Sequence, residues 1–241
     1  MFFRTRPGWP SALLLGAVRD EFLDRQWKPP ACHWGEPHKN FEGGLDLSAG
    51  GTWLALDRSQ PAVAVLVNGV ESTPQSPSGQ RSRGECPLRA LAGGFPLSRA
   101  EMLGMGGFHL LLGRLSGAEL WSWDGQELRH QMVLPGDHVL TFYGLDDRNH
   151  RRAAGVLQGL KATADASPRP GERTDEAWGD WLDLFGDGEP ADCNPQSPLV
   201  SRILDGRTYG STSASLIALT SEHSRFDFTG DPWQRTYWYE I

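Results

Sequence analysis

Leu13-Leu14-Leu15-Gly16-Ala17-Val18 runs straight into Arg19, Asp20 and Glu21. Five of those first six residues are apolar, and Pro10 and turn-forming residues precede them. That pattern predicts a buried strand rather than a helix. Charges are costly to bury unless paired, so the trio is either a strand end surfacing into solvent or the floor of a site. Other residues could also do chemistry. Cys32, His33 and His38 are metal-ligating types, but they lie in a proline-bearing loop, and no metal is assigned to them. His109 sits within an apolar strand, either as a sheet residue with satisfied nitrogens or as an axial ligand. Cys86-Pro87 is a dipeptide found in haem-responsive proteins; in the first turn of a helix, Cys86 reads as a small core hydrophobe. Glu21, Asp24 and Arg25 read as a solvated ion cluster, and Ser211, Ser213 and Ser215 as ordinary sheet hydroxyls. No phosphate-binding loop and no Gly-x-Ser-x-Gly elbow is present.

The elements that must position these residues follow from periodicity and turn chemistry. Met1–Thr5, a turn at Arg6-Pro7-Gly8 and a strand over Ala12–Val18 predict an opening hairpin. Gln26–Asn40, with Pro29-Pro30 and Pro37, predicts a loop. Trp53–Leu56 and Ala62–Asn68 predict strands, and Ser72–Gly79 a long proline- and serine-rich connection. Ser82–Glu85 and Ser98–Glu101 both carry the capping-box spacing, the first opening a helix over Glu85–Ala92. Phe108–Arg114, Ala118–Trp123 and Glu127–Val133 predict a meander, and His138–Phe142 a further strand. A helix capped by Asp146 or Asp147 and ending near Ala162 comes next. A second helix, over Glu176–Phe185, puts Trp178, Trp181, Leu182 and Phe185 on one side. Ser211–Leu219, Arg225–Phe228 and Gln234–Glu240 predict closing strands. This order is an antiparallel α+β pattern, with two sheets stacked between helical layers.

The bulk numbers narrow the partners. Twenty-three basic against thirty acidic residues give the 241-residue chain a net charge of −7. That argues against nucleic acid or an anionic membrane as the main partner. No apolar run reaches the roughly 18 residues of a membrane span. Three cysteines with no paired spacing form neither a disulfide framework nor a zinc site. A cytoplasmic location is the expectation, and the sequence leaves the oligomeric state open. Ten tryptophans point to core filling, with some available to line a pocket.

Val18-Arg19-Asp20-Glu21, then Gly43-Gly44-Leu45-Asp46, then Gly50-Gly51-Thr52-Trp53 is an order that resembles the NRDE family, also called the transport-and-Golgi-organisation type-two family. Ser82-Arg83-Gly84-Glu85 and Tyr209-Gly210-Ser211-Thr212 extend the resemblance, which makes residues 1–241 a single domain of that family. It implies an Ntn-hydrolase-like four-layer αββα sandwich. In related cysteine hydrolases such as bile salt hydrolase and penicillin V acylase, a Met-Cys start exposes a cysteine nucleophile whose own α-amine is the base. A free amine titrates near neutrality and can activate an adjacent thiol. The resemblance gives Arg19 and Asp20 the task of orienting that amine and thiolate. It makes Asn68 the oxyanion donor, with Trp53 packed close by and all of them converging on one cleft.

This sequence departs from the pattern at its decisive point, because position two is Phe2. Either Met1 is internal to a longer natural chain that starts Met-Cys, or this member lacks the nucleophile. Val18, His109 and Thr212 also replace polar family residues. Three function classes follow from the resemblance. The first is binding or trafficking of a small amphipathic ligand such as haem or an acyl-CoA-type lipid, with Trp53 and His109 facing it and haem the possible cofactor. The second is hydrolysis of non-peptide amides, which needs the missing cysteine. The third is a structural role in secretory-pathway organisation.

Overall fold

In the computed structural model, residues 1–70, 81–147, 150–186, 188–190, 194 and 197–241 are described; the expected loop at Ser72–Gly79 lies outside them. The chain opens with β1 (Phe2–Thr5) and β2 (Ser11–Phe22), the predicted hairpin, with Phe2 opposite Gly16 and Thr5 opposite Leu13. Then come β3 (Trp27–Ala31), β4 (Phe41–Asp46), β5 (Leu54–Asp57), β6 (Ala62–Asn68), α1 (Cys86–Leu91) and α2 (Arg99–Met102). The middle holds β7 (Phe108–Arg114), β8 (Gly117–Trp123), β9 (Leu128–Val133), β10 (Gly136–Thr141), β11 (Gly144–Leu145), α3 (Arg151–Ala162) and α4 (Thr174–Trp178). A 3-10 helix at Gly179–Phe185 leads to β12 (Ser201–Leu204), β13 (Arg207–Thr220), β14 (Ser224–Thr229) and β15 (Tyr239–Glu240).

The strands form two sheets. One runs β11-β10-β1-β2-β13-β14-β15 with β12 added to β13, and the other runs β3 to β9 in chain order. Every pairing among the described residues is antiparallel. Alternation along β2 decides the layers. Leu13, Leu15 and Ala17 enter a core shared with Leu54, Leu56, Val63, Val65 and Leu111 of the other sheet. Leu14 turns the opposite way, against Val156 and Leu160 of α3 and against Trp178, Trp181 and Phe185. On the far side, Ala64, Leu110 and Leu112 meet Cys86, Ala90 and Met102 of α1 and α2. Helix, sheet, sheet, helix is the four-layer arrangement expected. Leu13 and Leu15 are fully buried, and each contributes roughly 1.5–3 kcal/mol by leaving water. Gly16 is dictated by packing, since a Cβ there would meet Phe2 Cζ at 2.2 Å.

Some local expectations need correction. The stretch Gln26–Asn40 is not all loop: β3 includes Pro29-Pro30. It is tolerated because β3 is an edge strand with an irregular register between Lys28 and Ala31, where missing N–H groups break few ladder bonds. Ser98–Glu101 forms its capping box, but Ser82–Glu85 does not. Gly84 is held against Thr52, whose N–H donates to its carbonyl (2.8 Å), and the Glu85 carboxylate accepts from Arg81 instead (2.7 Å). Helix α3 is capped by His150, because Asp146 is engaged with the Val139 N–H and with His138. The helix expected over Glu176–Phe185 breaks at Gly179 (φ 50°) into α4 and the 3-10 turn, yet its four predicted inward residues are all buried. Gln234–Glu240 contracts to the two residues of β15, and β12 was not anticipated. No helix among the described residues is long and apolar enough to cross a membrane.

Candidate functional site

Strand β2 does not surface after Val18. It stays paired to β13 as far as Phe22, so Arg19 is only 7% exposed. Alternation sends Arg19 to the inter-sheet side with Leu15 and Ala17. Its guanidinium lies 4.6 Å from the Trp53 ring centroid and 5.9 Å from that of Trp27. A cation over an aromatic face is worth about 2 kcal/mol when desolvated. Nη1 donates to Thr212 Oγ1 at 2.9 Å, and Nη2 lies 3.5 Å from Asp46 Oδ2. Asp46 is itself fixed by Arg25 (2.6 and 3.2 Å) and by the amides of Ser48 and Ala49. Burial pulls the Arg19 pKa below its usual value while the Glu21 and Asp46 carboxylates oppose it; arginine's basicity keeps it charged. The glycine motif has a packing role here: a Cβ on Gly44 would meet Trp53 Cη2 at 2.2 Å.

Asp20 points the other way, toward α3. Ser211 Oγ donates to its Oδ1 at 2.7 Å. They share a face because a bulge at Thr212 shifts the register between Ser211 and Ser213. Burial raises the Asp20 pKa, outweighing the Ser211 bond and the attraction of Arg152, the Met1 amine and Arg202. The Met1 amine donates to the Leu140 carbonyl at 3.2 Å. Burial, with Arg152 adding to it and Asp20 opposing, pushes that amine down to about 5. Tyr209 Oη donates to the Asp20 carbonyl at 3.2 Å, and burial pushes the phenol up to about 12.

The remaining expected residues sit apart from these. Asn68 ends β6 opposite Phe108 and is exposed. It shares the parity of Leu66, which packs on the α1 and α2 side, and makes no side-chain hydrogen bond among the described residues. His109 is a satisfied sheet residue. Its Nε2 donates to the Phe142 carbonyl (3.3 Å) and its Nδ1 accepts from Ser122 Oγ (2.8 Å), a tautomer dictated by the acceptor-only carbonyl. Burial lowers its pKa. Cys86 is fully buried, and its thiol is pushed up to about 12 by burial and by Glu85. Among the described residues, no group of three His, Cys, Asp or Glu side chains could hold a metal.

Arg19 and Trp53 are thus brought together, and Asp20 stands beside the chain start on the opposite face of the sheet. Asn68 and His109 lie outside both groupings. Sequence reasoning missed Trp27, Asp46, Thr212 and Arg152 as partners. Asp46 closes the Gly-Gly-Leu-Asp tetrapeptide, so its signal was visible; Trp27 was hidden in a stretch read as loop.

No curated protein matches the sequence at a significant level. The fold matches that of a solved structure, the Caenorhabditis elegans N-acylethanolamine-hydrolyzing acid amidase (NAAA) ortholog, with a TM-score of 0.52. That match covers 100% of this chain and 99% of that one at 8% identity, which shows the fold alone. The sequence model for Transport and Golgi organisation 2 matches residues 1–231. Nearly the whole chain, from the opening hairpin into the segment before β15, therefore belongs to the Transport and Golgi organisation 2 family.

Proposed function

We propose that the protein binds or carries a small amphipathic ligand at the end of the inter-sheet core, with Arg19 on the polar head and Trp53 and Trp27 against the apolar body. One observation carries this reading: a guanidinium 7% exposed, stacked on Trp53 at 4.6 Å. Its bonds to Thr212 and Asp46 leave N–H donors in hand, because a guanidinium presents a whole fork of them. An acyl-CoA-type thioester fits best, its carbonyl or phosphate meeting Arg19. Haem is the other candidate. Both His109 nitrogens are engaged, so haem would sit through its propionates on Arg19 rather than through its iron. A cytoplasmic setting belongs to the same proposal, supported by a cysteine count too low for a disulfide framework.

The test is titration of the purified protein with oleoyl-CoA and, separately, with haem, following tryptophan fluorescence and haem absorbance. Saturable binding at ~10 μM, weakened ~10-fold or more by Arg19→Met, is expected. No signal at that concentration, or equal affinity in the Arg19→Met protein, would sink the reading.

A second reading, amide hydrolysis, is supported by Asp20 standing within electrostatic reach of Met1, through which a longer chain would enter β1. It needs a thiol next to a free α-amine, as a Met-Cys start upstream of Met1 would encode. Phe2 offers none, and Cys86 is sealed in the core. Losing such a nucleophile removes several orders of magnitude of rate. Protein beginning at Met1 is therefore expected to leave N-acylethanolamines intact. Turnover that disappears in Asp20→Ala would overturn this.

A further inference from the structure

At the opposite end of the second sheet from Asn68, one row of residues crosses four strands. Phe41 of β4 pairs with Asp57 of β5, Asp57 with Ala62 of β6, and Ala62 with Arg114 of β7. All four share the parity of residues packed toward α1: Ala55 beside Leu88, Ala64 beside Cys86, and Leu110 and Leu112. Phe41, Asp57 and Arg114 line a cavity of about 400 Å³, closed on its other side by Leu91, Ala92 and Gly93 at the carbonyl end of α1.

The charges in this cavity are poorly matched by the protein itself. Arg114 Nη1 is buried with no hydrogen-bond partner, and among the described residues Arg114 makes no ion pair. A buried donor left unmade costs roughly 1–3 kcal/mol, more when charged, so its orphaning points to a missing acceptor. Asp57 is 5% exposed. Its Oδ1 is spent on the following turn, accepting from Ser59 N (2.8 Å), Ser59 Oγ (2.6 Å) and Gln60 N (3.3 Å). Its Oδ2 has no partner among the described residues. Asp57 and Arg114 do not pair with each other, because the short Ala62 separates them by two strand spacings, roughly 9.6 Å between Cα atoms.

A lone anion would meet Arg114 but also Asp57 and the carbonyl end of α1, both repulsive to it. A lone cation would leave Arg114 unmatched. We propose that the cavity binds a small zwitterion, an ammonium and a carboxylate on a short carbon frame as in a free α-amino acid. The carboxylate takes the Arg114 fork, and the ammonium takes Asp57 Oδ2. Phe41 and Leu91 provide an apolar wall for the side chain. This site is independent of the one at Arg19, because it opens on the α1 side of the second sheet whereas Arg19 lies between the sheets beside Trp53.

The test uses the full chain and L-leucine as probe, with acetate and ethylamine as half-ligands, followed by amide chemical shifts. Saturable shifts at the cavity with L-leucine are expected at ~10 mM or below. Acetate and ethylamine should bind ~10-fold or more weakly, and Arg114→Gln should weaken L-leucine by a similar factor. Asp57→Asn should do the same while keeping an oxygen for the Ser59 turn; if that variant fails to fold, Arg114→Gln decides alone. Arg19→Met should leave L-leucine binding unchanged. No saturable shift, acetate binding as tightly as L-leucine, or undiminished affinity in Arg114→Gln would each overturn the zwitterion site.

Discussion

Asp227→Ala is the perturbation for which the structure sets the sharpest magnitude. Asp227 and Arg225 lie two residues apart on β14, on the face covered by α4, and both are 0% exposed. Four bonds converge on the carboxylate: Thr174 Oγ1 (2.7 Å), Trp178 Nε1 (2.7 Å), Arg225 Nε (2.7 Å) and Arg225 Nη2 (2.9 Å). Arg225 in turn donates to the carbonyls of Glu172 (2.8 Å) and Arg169, pinning the segment that leads into α4. Removing the carboxylate leaves the indole N–H and the hydroxyl without an acceptor and strips the buried guanidinium of its counter-charge and of two of its four bonds. Breaking a buried pair by deleting one partner costs roughly 3–5 kcal/mol, a large share of a typical 5–15 kcal/mol stability. Urea unfolding should show that loss in Asp227→Ala and a smaller one in Asp227→Asn, whose amide oxygen can still accept. The double replacement Arg225→Met with Asp227→Leu should cost less than Asp227→Ala alone, since no orphaned charge remains. A loss under about 1 kcal/mol in Asp227→Ala, or a double variant as damaged as the sum of the singles, would refute the reasoning.

Two further outcomes follow from the polar anchors of the first sheet. His138 bonds to Asp146 Oδ2 and to the Leu134 carbonyl, both at 2.8 Å; both partners only accept, so both bonds require the imidazolium. Burial opposes that charge, but the Asp146 and Leu134 bonds hold the His138 pKa above its ordinary 6.5, and Asp146, buried yet bonded to His138, lies below its ordinary 3.8. The stability from His138 is thus fully present below 6.5 and lost as pH rises through its folded value, while that from Asp146 is lost as pH falls through its own. Urea midpoints should show His138→Gln weaker than the parent at about pH 5.5 and nearly equal at about pH 8.5; an equal deficit at both would contradict the pairing. Arg4, 4% exposed, donates to the carbonyls of Leu160 (2.8 Å) and Thr163 (3.0 Å) at the end of α3 and to Asp137 and Asp165. Arg4→Met should cost roughly 2–3 kcal/mol and speed amide exchange in the last turn of α3; unchanged exchange there would show that the helix end holds without it.

The layers were legible because their cause is local. Alternation along Leu13–Val18 and Phe108–Arg114 assigns each residue a face, and the faces need only to find each other. What stayed hidden depended on contacts distant in sequence. Pro29-Pro30 reads as a loop until β3 is known to be an edge. Ser82–Glu85 has the spacing of a capping box, yet Gly84 is claimed by Thr52 and Glu85 by Arg81. Arg19 announces itself as a charge after an apolar run, but its neighbours come from β3, Trp53, the β4 end and the β13 bulge.

The bulge shows most clearly why a site is harder to read than a fold. Ser211, Thr212, Ser213, Ala214 and Ser215 read as uninterrupted alternation, which would put all three serines on one face. In the structure Asp20 pairs with Ser211 and Arg19 with Ser213, so β13 spends one extra residue at Thr212. Ser211 consequently turns to the α3 side to bond Asp20, while Ser213 and Ser215 turn inward with Arg19. Because a one-residue offset exchanges the faces of everything beyond it, this single insertion decides which β13 side chain faces each of two adjacent charges that the pleat of β2 sends to opposite sides. Arg19 meets tryptophans between the sheets; Asp20 meets a serine, Arg152 and the chain-start amine on the helix side. No hydropathy pattern carries that information, since Thr212 is as good a strand residue as its neighbours. The register is fixed instead by Arg19 Nη1 donating to Thr212 Oγ1 and Thr212 Oγ1 donating back to the Arg19 carbonyl, bonds that exist only once β2 and β13 have met.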